Sequence, residues 1–185
     1  LAIIVCWMSM SPSLTLRSIA KVYINIMQGT PVLVFLLLMF YVVLAQSGMS
    51  AVIVSIITFS MNFAAYASEI FRHSIENIPH SQTEAGVALG FTKAQTFIYI
   101  VLPQALRLIM PSYKGEVISL VKTTSIVGYI AVADLTQAGD IIRSRTFDAF
   151  FPLILVAIVY FILAWLFSKV LDIIGNKIQE YKHIK

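Results

Sequence analysis

Cysteine and charge are the two things this chain of 185 residues has little of. Cys6 is its only cysteine and has no partner within the chain, which excludes a secreted scaffold stapled by disulfides. Charged residues make up 12% of the sequence, about half the share usual for soluble domains. Apolar residues reach 59%, and the mean hydropathy is +0.88. A soluble fold of this length would leave too much of that apolar surface in water, so the bilayer is the expected solvent. Disorder is excluded by the same balance, since disordered chains are poor in apolar residues and rich in charge. The sequence also lacks a Gly-x-x-x-x-Gly-Lys-Ser/Thr phosphate loop, a nucleophile triad and any metal-ligand spacing. His73, His80 and His183 stand apart from one another and read as solvated.

What is present is a series of apolar runs. Leu1 to Met10 is apolar but short, broken by Ser11-Pro12-Ser13. At ~1.5 Å rise per residue it covers about half of a ~30 Å hydrocarbon core. With no initiator Met, basic leader or small-residue cleavage site, it reads as a helix whose beginning lies upstream. Leu14 to Gln28 is amphipathic: Leu16, Ile19, Tyr23, Ile26 and Met27 repeat at helical spacing, with Arg17, Lys21, Asn25 and Gln28 opposite. This is an interfacial helix or the wet end of a span. After Gly29-Thr30-Pro31, the run Val32 to Ala45 is long enough to cross once its flanks are counted.

Ala51 to Ala67 is the next crossing, ending at Glu69-Ile70-Phe71-Arg72. Between Arg72 and Leu102 no stretch could span. Pro103 to Val132 is mostly apolar but carries Lys114, Glu116 and Lys122. Asp134 to Asp148 reads as a polar loop, Ala149 to Phe167 as a final span, and Ser168 to Lys185 as a basic tail. The expected fold is an all-α, polytopic transmembrane bundle of about five spans, the first incomplete, forming one domain over residues 1–185.

Alternate loops then share a side of the membrane. One side holds Arg17, Lys21, Arg72, Lys93, Arg107, Lys169, Lys177, Lys182 and Lys185, and the other only Arg143 and Arg145. That asymmetry places residues 72–102 and the C-terminus in the cytoplasm. It also accounts for the net charge of +4 without nucleic acid, because the basic residues are dispersed flanks and not one basic face.

Within the cytoplasmic segment, Ser81-Gln82-Thr83-Glu84 fits a capping box that would start a helix running to Leu89, with Gly90 at the left-handed C′ position. Thr92-Lys93-Ala94-Gln95 is a second box, starting a short helix that reaches Pro103. On these features alone, two short helices jointed at Gly90 are as compatible with a membrane-surface linker as with a docking element.

Glu84-Ala85-Gly86, then Gly90, then Ile100-Val101-Leu102-Pro103 resembles the EAA signature of ABC importer permeases, with Gly86 where Ala is usual. Gly29-Thr30-Pro31, Ala65-Tyr66, Glu69-Ile70-Phe71-Arg72, Gln82, Pro103-Gln104-Ala105-Leu106-Arg107 and Ile118-Ser119-Leu120-Val121-Lys122 look like the polar amino acid uptake subfamily. Departures are Gln28 in place of Arg, Lys114-Gly115 in place of Gly-Asn, and Thr123 where Asp often follows the Lys. The resemblance implies a type I ABC importer permease fold in the bacterial inner membrane. Glu84, Ala85, Gly86, Gly90, Ile100, Leu102 and Pro103 would then couple the chain to a cytoplasmic ATPase. It also implies a second permease subunit, identical or a sister, and a substrate-binding protein, separate or fused upstream. This chain would bind no cofactor and no metal; ATP and Mg would sit on the partner ATPase, and the chain itself would not be an enzyme.

Charges within a span need protein or water around them, because a Lys or Glu facing lipid costs about 2.5–3.5 kcal/mol. Glu116 and Lys122 lie ~120° apart in azimuth and cannot pair with each other. Lys122 shares a face with Ser119 and Ser125, Glu116 with Thr123, and Asn62, Tyr66 and Glu69 form one face of another span. A zwitterionic amino acid needs a donor for its carboxylate and an acceptor for its ammonium. Asn62, Tyr66, Glu69, Lys122, Thr124 and Ser125 could supply both; equally, a polar face can be helix–helix glue, and the charges can pair structurally. The alternative function is a secondary transporter or channel subunit with Glu69, Glu116 and Lys122 as ion sites.

Overall fold

The computed structural model describes residues 1–180. Lys182, His183, Lys185 and the end of the basic tail lie outside the described residues. All regular structure among the described residues is helical: α1 (Ala2–Ser9), α2 (Leu14–Gly29), α3 (Val32–Leu38), α4 (Ala51–Glu76), α5 (His80–Ala88), α6 (Lys93–Thr96), α7 (Leu102–Thr123), α8 (Leu135–Thr146) and α9 (Phe150–Glu180). Short π-turns follow α3 (Met39–Val43) and α6 (Phe97–Val101), and a 3₁₀ stretch, Thr124–Ile130, extends α7.

The 26 residues of α4 make it the central post, about 39 Å long at ~1.5 Å per residue and ample for the hydrocarbon core. Ser50 caps it by accepting from the Ile53 N–H, which fixes its start. Lipid tails are as apolar as leucine, so helices in a bilayer associate through close packing of small residues. The buried stretch of α4 is of that kind: Ala64, Ala65, Ala67 and Ser68 are all 3% exposed or less. Helices α1, α2 and α7 pack on it, and α9 packs on the outer side of α7. Ala51–Glu76 and Phe150–Lys177 each suffice to cross a membrane by length and composition, and two bent pairs raise the number to four.

The break expected at Gly29-Thr30-Pro31 is a sharp bend, where Leu14–Gly29 and Val32–Val43 meet at 106°. Pro31 removes a donor and holds the chain extended there, while Thr30 is extended as well. The capping box at Ser81 does not form: α5 starts at His80, with Pro79 as its N-cap. The Pro79 carbonyl already accepts from Gln82, so Ser81 sits inside the first turn, where a cap cannot be.

The helix beginning at Lys93 does not stop at Pro103 but runs continuously to Ile130. A proline inside an α-helix clashes with the preceding turn. Here the π-turn, with Leu102 N–H donating to the Phe97 carbonyl, widens the helix just before it. The segment after Asp134 is a helix, not a loop, with Asp134 as its N-cap accepting from Gln137. The final span continues past Phe167 to Glu180. Gly90, by contrast, holds its expected place after α5 with φ +83, and Thr92 and Gln95 form the reciprocal capping box expected of them.

Candidate functional site

Three clefts lie along α2 and α4, two of them walled also by α7, and they share residues. At the end of α4 that carries Arg72, a cavity of about 490 Å³ is lined by Arg17, Lys21, Asn25 and Gln28 of α2 and by Glu69, Arg72 and Glu76 of α4. Deeper in the bundle, Gln28, Thr30, Asn62, Tyr66, Glu116, Ser119 and Thr123 line a cavity of about 400 Å³. A third, of about 610 Å³, joins Gln28, Tyr66, Glu69 and Glu116 to His73, Asn77 and Ser112. Gln28 borders all three, Glu69 the first and third, and Tyr66 and Glu116 the second and third. Together they form a polar path along the inner face of α4.

The side chains on this path are held by their own helices. Helix α2 ends at Gly29, leaving the carbonyls of its last turn without intrahelical donors. Asn62 Nδ2 donates to one of them, Met27 O, at 2.9 Å, and the Tyr23 hydroxyl donates back to Met61 O. The Asn62 amide is therefore helix glue through one N–H, with its other N–H and its carbonyl left for the cavity. Glu69 is engaged by its own helix: Arg72 donates from Nε and Nη2 to Glu69 Oε1 at 3.1 and 2.9 Å, and from Nη1 to Glu76 Oε2 at 2.9 Å. Glu116 has no ion-pair partner among the described residues.

Of the six pathway residues expected from the sequence, the structure thus brings Asn62, Tyr66 and Glu69 onto one path. Lys122, Thr124 and Ser125 line none of the three cavities. Lys122 is exposed on the far side of α7, and the Thr124 hydroxyl donates to Val121 O at 2.7 Å. Glu116, Ser119 and Thr123 supply the α7 wall instead. Their i, i+3, i+7 spacing was the readable trace of that wall. Lys114, a charge within the span, is neutralised by Asp172 of α9, with Nζ 2.6 Å from Oδ1. The two residues lie 58 positions apart in the chain, and no local pattern announces the pair.

At the other end of the long helix, α5 folds back antiparallel to residues 93–104. Glu84, Ala85 and Gly90 are exposed on it, as is Pro103, while Ile100 and Leu102 are half-buried. Gly86 is the exception among the EAA residues. It is buried against the long helix, and a Cβ there would fall 2.6 Å from Thr96 Cγ2, 2.8 Å from Thr96 Oγ1 and 2.9 Å from Ile100 Cδ1. The sequence reading assigned Gly86 to coupling and gave it no packing role.

Comparison with known proteins yields a consistent picture. Residues 1–180 match the family model of the binding-protein-dependent transport system inner membrane component. The chain is 36% identical over 183 residues to the L-cystine transport system permease protein TcyB of Bacillus subtilis, covering 98% of this chain and 78% of that protein. It is 35% identical to a putative glutamine transport system permease protein GlnP of Rickettsia typhi, covering 88% and 75%. Among solved structures, an amino acid ABC transporter with histidines superposes with a TM-score of 0.84 at 36% identity, covering 95% of this chain and 83% of that one. The MetNI methionine ABC transporter, in an inward facing form, shares the fold with a TM-score of 0.77 at 20% identity.

Proposed function

This chain belongs to the family of inner membrane components of binding-protein-dependent transport systems, and from that premise we propose that it is the permease subunit of an ATP-driven importer for polar amino acids. The observation that carries the proposal is a single helix, Lys93–Ile130, which at one end carries Ile100–Pro103 of the EAA segment with α5 packed on it and at the other supplies one wall of the polar path. A groove on a cytoplasmic ATPase would receive the exposed face of α5 and the Gly90 turn. ATP and Mg would be held there and not on this chain, which would catalyse nothing itself. Movement of the docked segment would open the path to one side of the membrane or the other.

In this reading the amino acid passes along Gln28, Asn62, Tyr66, Glu69 and Glu116. Glu116 lacks a cation and would accept from the ammonium; the amides of Gln28 and Asn62 would donate to the carboxylate. Lys122, Thr124 and Ser125 would belong to the pathway through a second permease subunit closing on that face of α7. The other partners are an external binding protein that delivers the amino acid and the lipid of the inner membrane, with the C-terminus in the cytoplasm.

The test is ATP hydrolysis and amino acid uptake by the complex in liposomes, with binding protein and a panel of amino acids present. Stimulation by one group of amino acids, abolished by Glu84→Lys with membrane insertion intact, is the expected outcome. Uptake driven by an ion gradient with no copurifying ATPase would overturn the proposal.

A further inference from the structure

The helix that links the docking segment to the path has a weak point. At Phe97–Val101 it opens into a π-turn, and two residues later Pro103 contributes no backbone donor. Kinks in long helices concentrate at such places. A push delivered to residues 84–96 would therefore be absorbed by bending there before it reached Glu116.

Helix α5 crosses that weak point and is fastened on both sides of it. Before the π-turn, Gly86 sits so close to Thr96 that no Cβ would fit, and Thr96 is 1% exposed. Beyond the π-turn and Pro103, Gln104 Nε2 donates to Gln82 Oε1 at 3.1 Å and to the Ile100 carbonyl at 2.8 Å. Gly86 also meets Ile100 within the turn itself. Gln104 thus ties the splinting helix and the distorted turn together with one side-chain amide.

We propose that α5 is a splint across the π-turn, and that Gln82 and Gln104 are positioning residues which carry the motion of the docking segment past Pro103 to the cavity wall of α7. The proposal rests on the reading of α5 as the ATPase-docking element. It assigns that helix a second role, mechanical and internal to this chain, and makes the Gly90 turn a fixed corner and not a hinge.

The experiment uses the whole complex in liposomes and reads amino acid taken up per ATP hydrolysed. Gln82→Ala and Gln104→Ala should each leave copurification of the ATPase and its hydrolysis rate unchanged while lowering uptake per ATP about two- to tenfold, the scale of one hydrogen bond. Gln82→Glu combined with Gln104→Lys, which rebuilds the link as an ion pair, should restore it. Unchanged uptake per ATP in both alanine variants would overturn the splint. If Glu84→Lys still uncoupled the complex in the same assay, the docking role would stand without it. Should Gln104→Ala disturb folding, spin labels at Thr83 and Leu108 give an independent reading. Their separation should stay constant when the ATPase binds ATP, and a change above about 2 Å, the scale of helix shifts between states, would overturn the proposal.

Discussion

Replacing Gly86 with alanine is the sharpest perturbation the structure offers. The added Cβ would meet Thr96 Cγ2 at 2.6 Å and Oγ1 at 2.8 Å, both well inside van der Waals contact. Ile100 Cδ1, at 2.9 Å, is the end of a flexible side chain and can swing away. Thr96 has less room to yield, because both of its γ atoms face the glycine and its χ1 on a helix is confined to two rotamers. Overpacking of this kind costs about 1–3 kcal/mol. The cost falls on the contact between α5 and the long helix, so amide exchange over residues 80–90 should speed up about five- to 150-fold, with α4 and α9 unaffected.

Thr96→Ala removes both obstructing atoms. By itself it should be nearly neutral, since the lost methyl contact, about 0.8 kcal/mol, is offset by removal of a buried hydroxyl that has no hydrogen-bond partner among the described residues. Combined with Gly86→Ala it should return exchange to the parent rate. An alanine at position 86, the usual residue of the EAA signature, is thus expected to need a smaller neighbour than threonine at position 96. Unaltered exchange in Gly86→Ala, or a defect that Thr96→Ala fails to reverse, would refute the reasoning.

Further expectations follow from single contacts. Gly90 has open space around it and φ +83, so Gly90→Asn, which tolerates that conformation, should keep the fold while Gly90→Val strains the backbone by about 1–3 kcal/mol; circular dichroism and thermal melts of the two variants decide this. Asp134→Ala should lower stability by about 1 kcal/mol through loss of the α8 cap, whereas Asp134→Asn keeps the acceptor and should melt like the parent. Lys114 lies within the span and is paired with Asp172, so Lys114→Ala leaves a carboxylate in the membrane without its cation and should cost up to about 2.5–3.5 kcal/mol, which exchanging the two residues should recover. Glu116→Gln should raise the KM for uptake about tenfold or more, the loss of one charge-assisted hydrogen bond.

The elements legible in the sequence were those whose physics is local. Continuous apolar runs announced α4 and α9, and Thr92 with Gln95 announced the start of α6, because a cap needs only four consecutive residues. Where two local rules competed, the reading failed. The capping-box spacing at Ser81 offered a start for α5, but the Pro79 carbonyl closes the first turn two residues earlier. Polarity between Asp134 and Asp148 suggested a loop, although Asp134 with Gln137 carries the same cap spacing as Thr92 with Gln95. Pro103 read as a helix boundary because a π-turn, which has no composition of its own, cannot be seen in sequence.

The site divides along the same line. Azimuth on a helix is local arithmetic, and the ~120° between Glu116 and Lys122 correctly separated them onto different surfaces. Which of the two surfaces faces the path depends on where α4 and α2 pack, and that is tertiary. The answer lies in the small residues of α4: Ala64, Ala65, Ala67 and Ser68 let neighbouring helices approach closely, leaving Asn62, Tyr66 and Glu69 along the rim of the contact. α7 then turns Glu116 toward that rim and Lys122 away from it. A charge exposed on the far face of a membrane helix is tolerable only against protein or water. On the proposed reading, a second subunit would cover this face of α7 and Lys122 with it, completing the pathway wall across two chains.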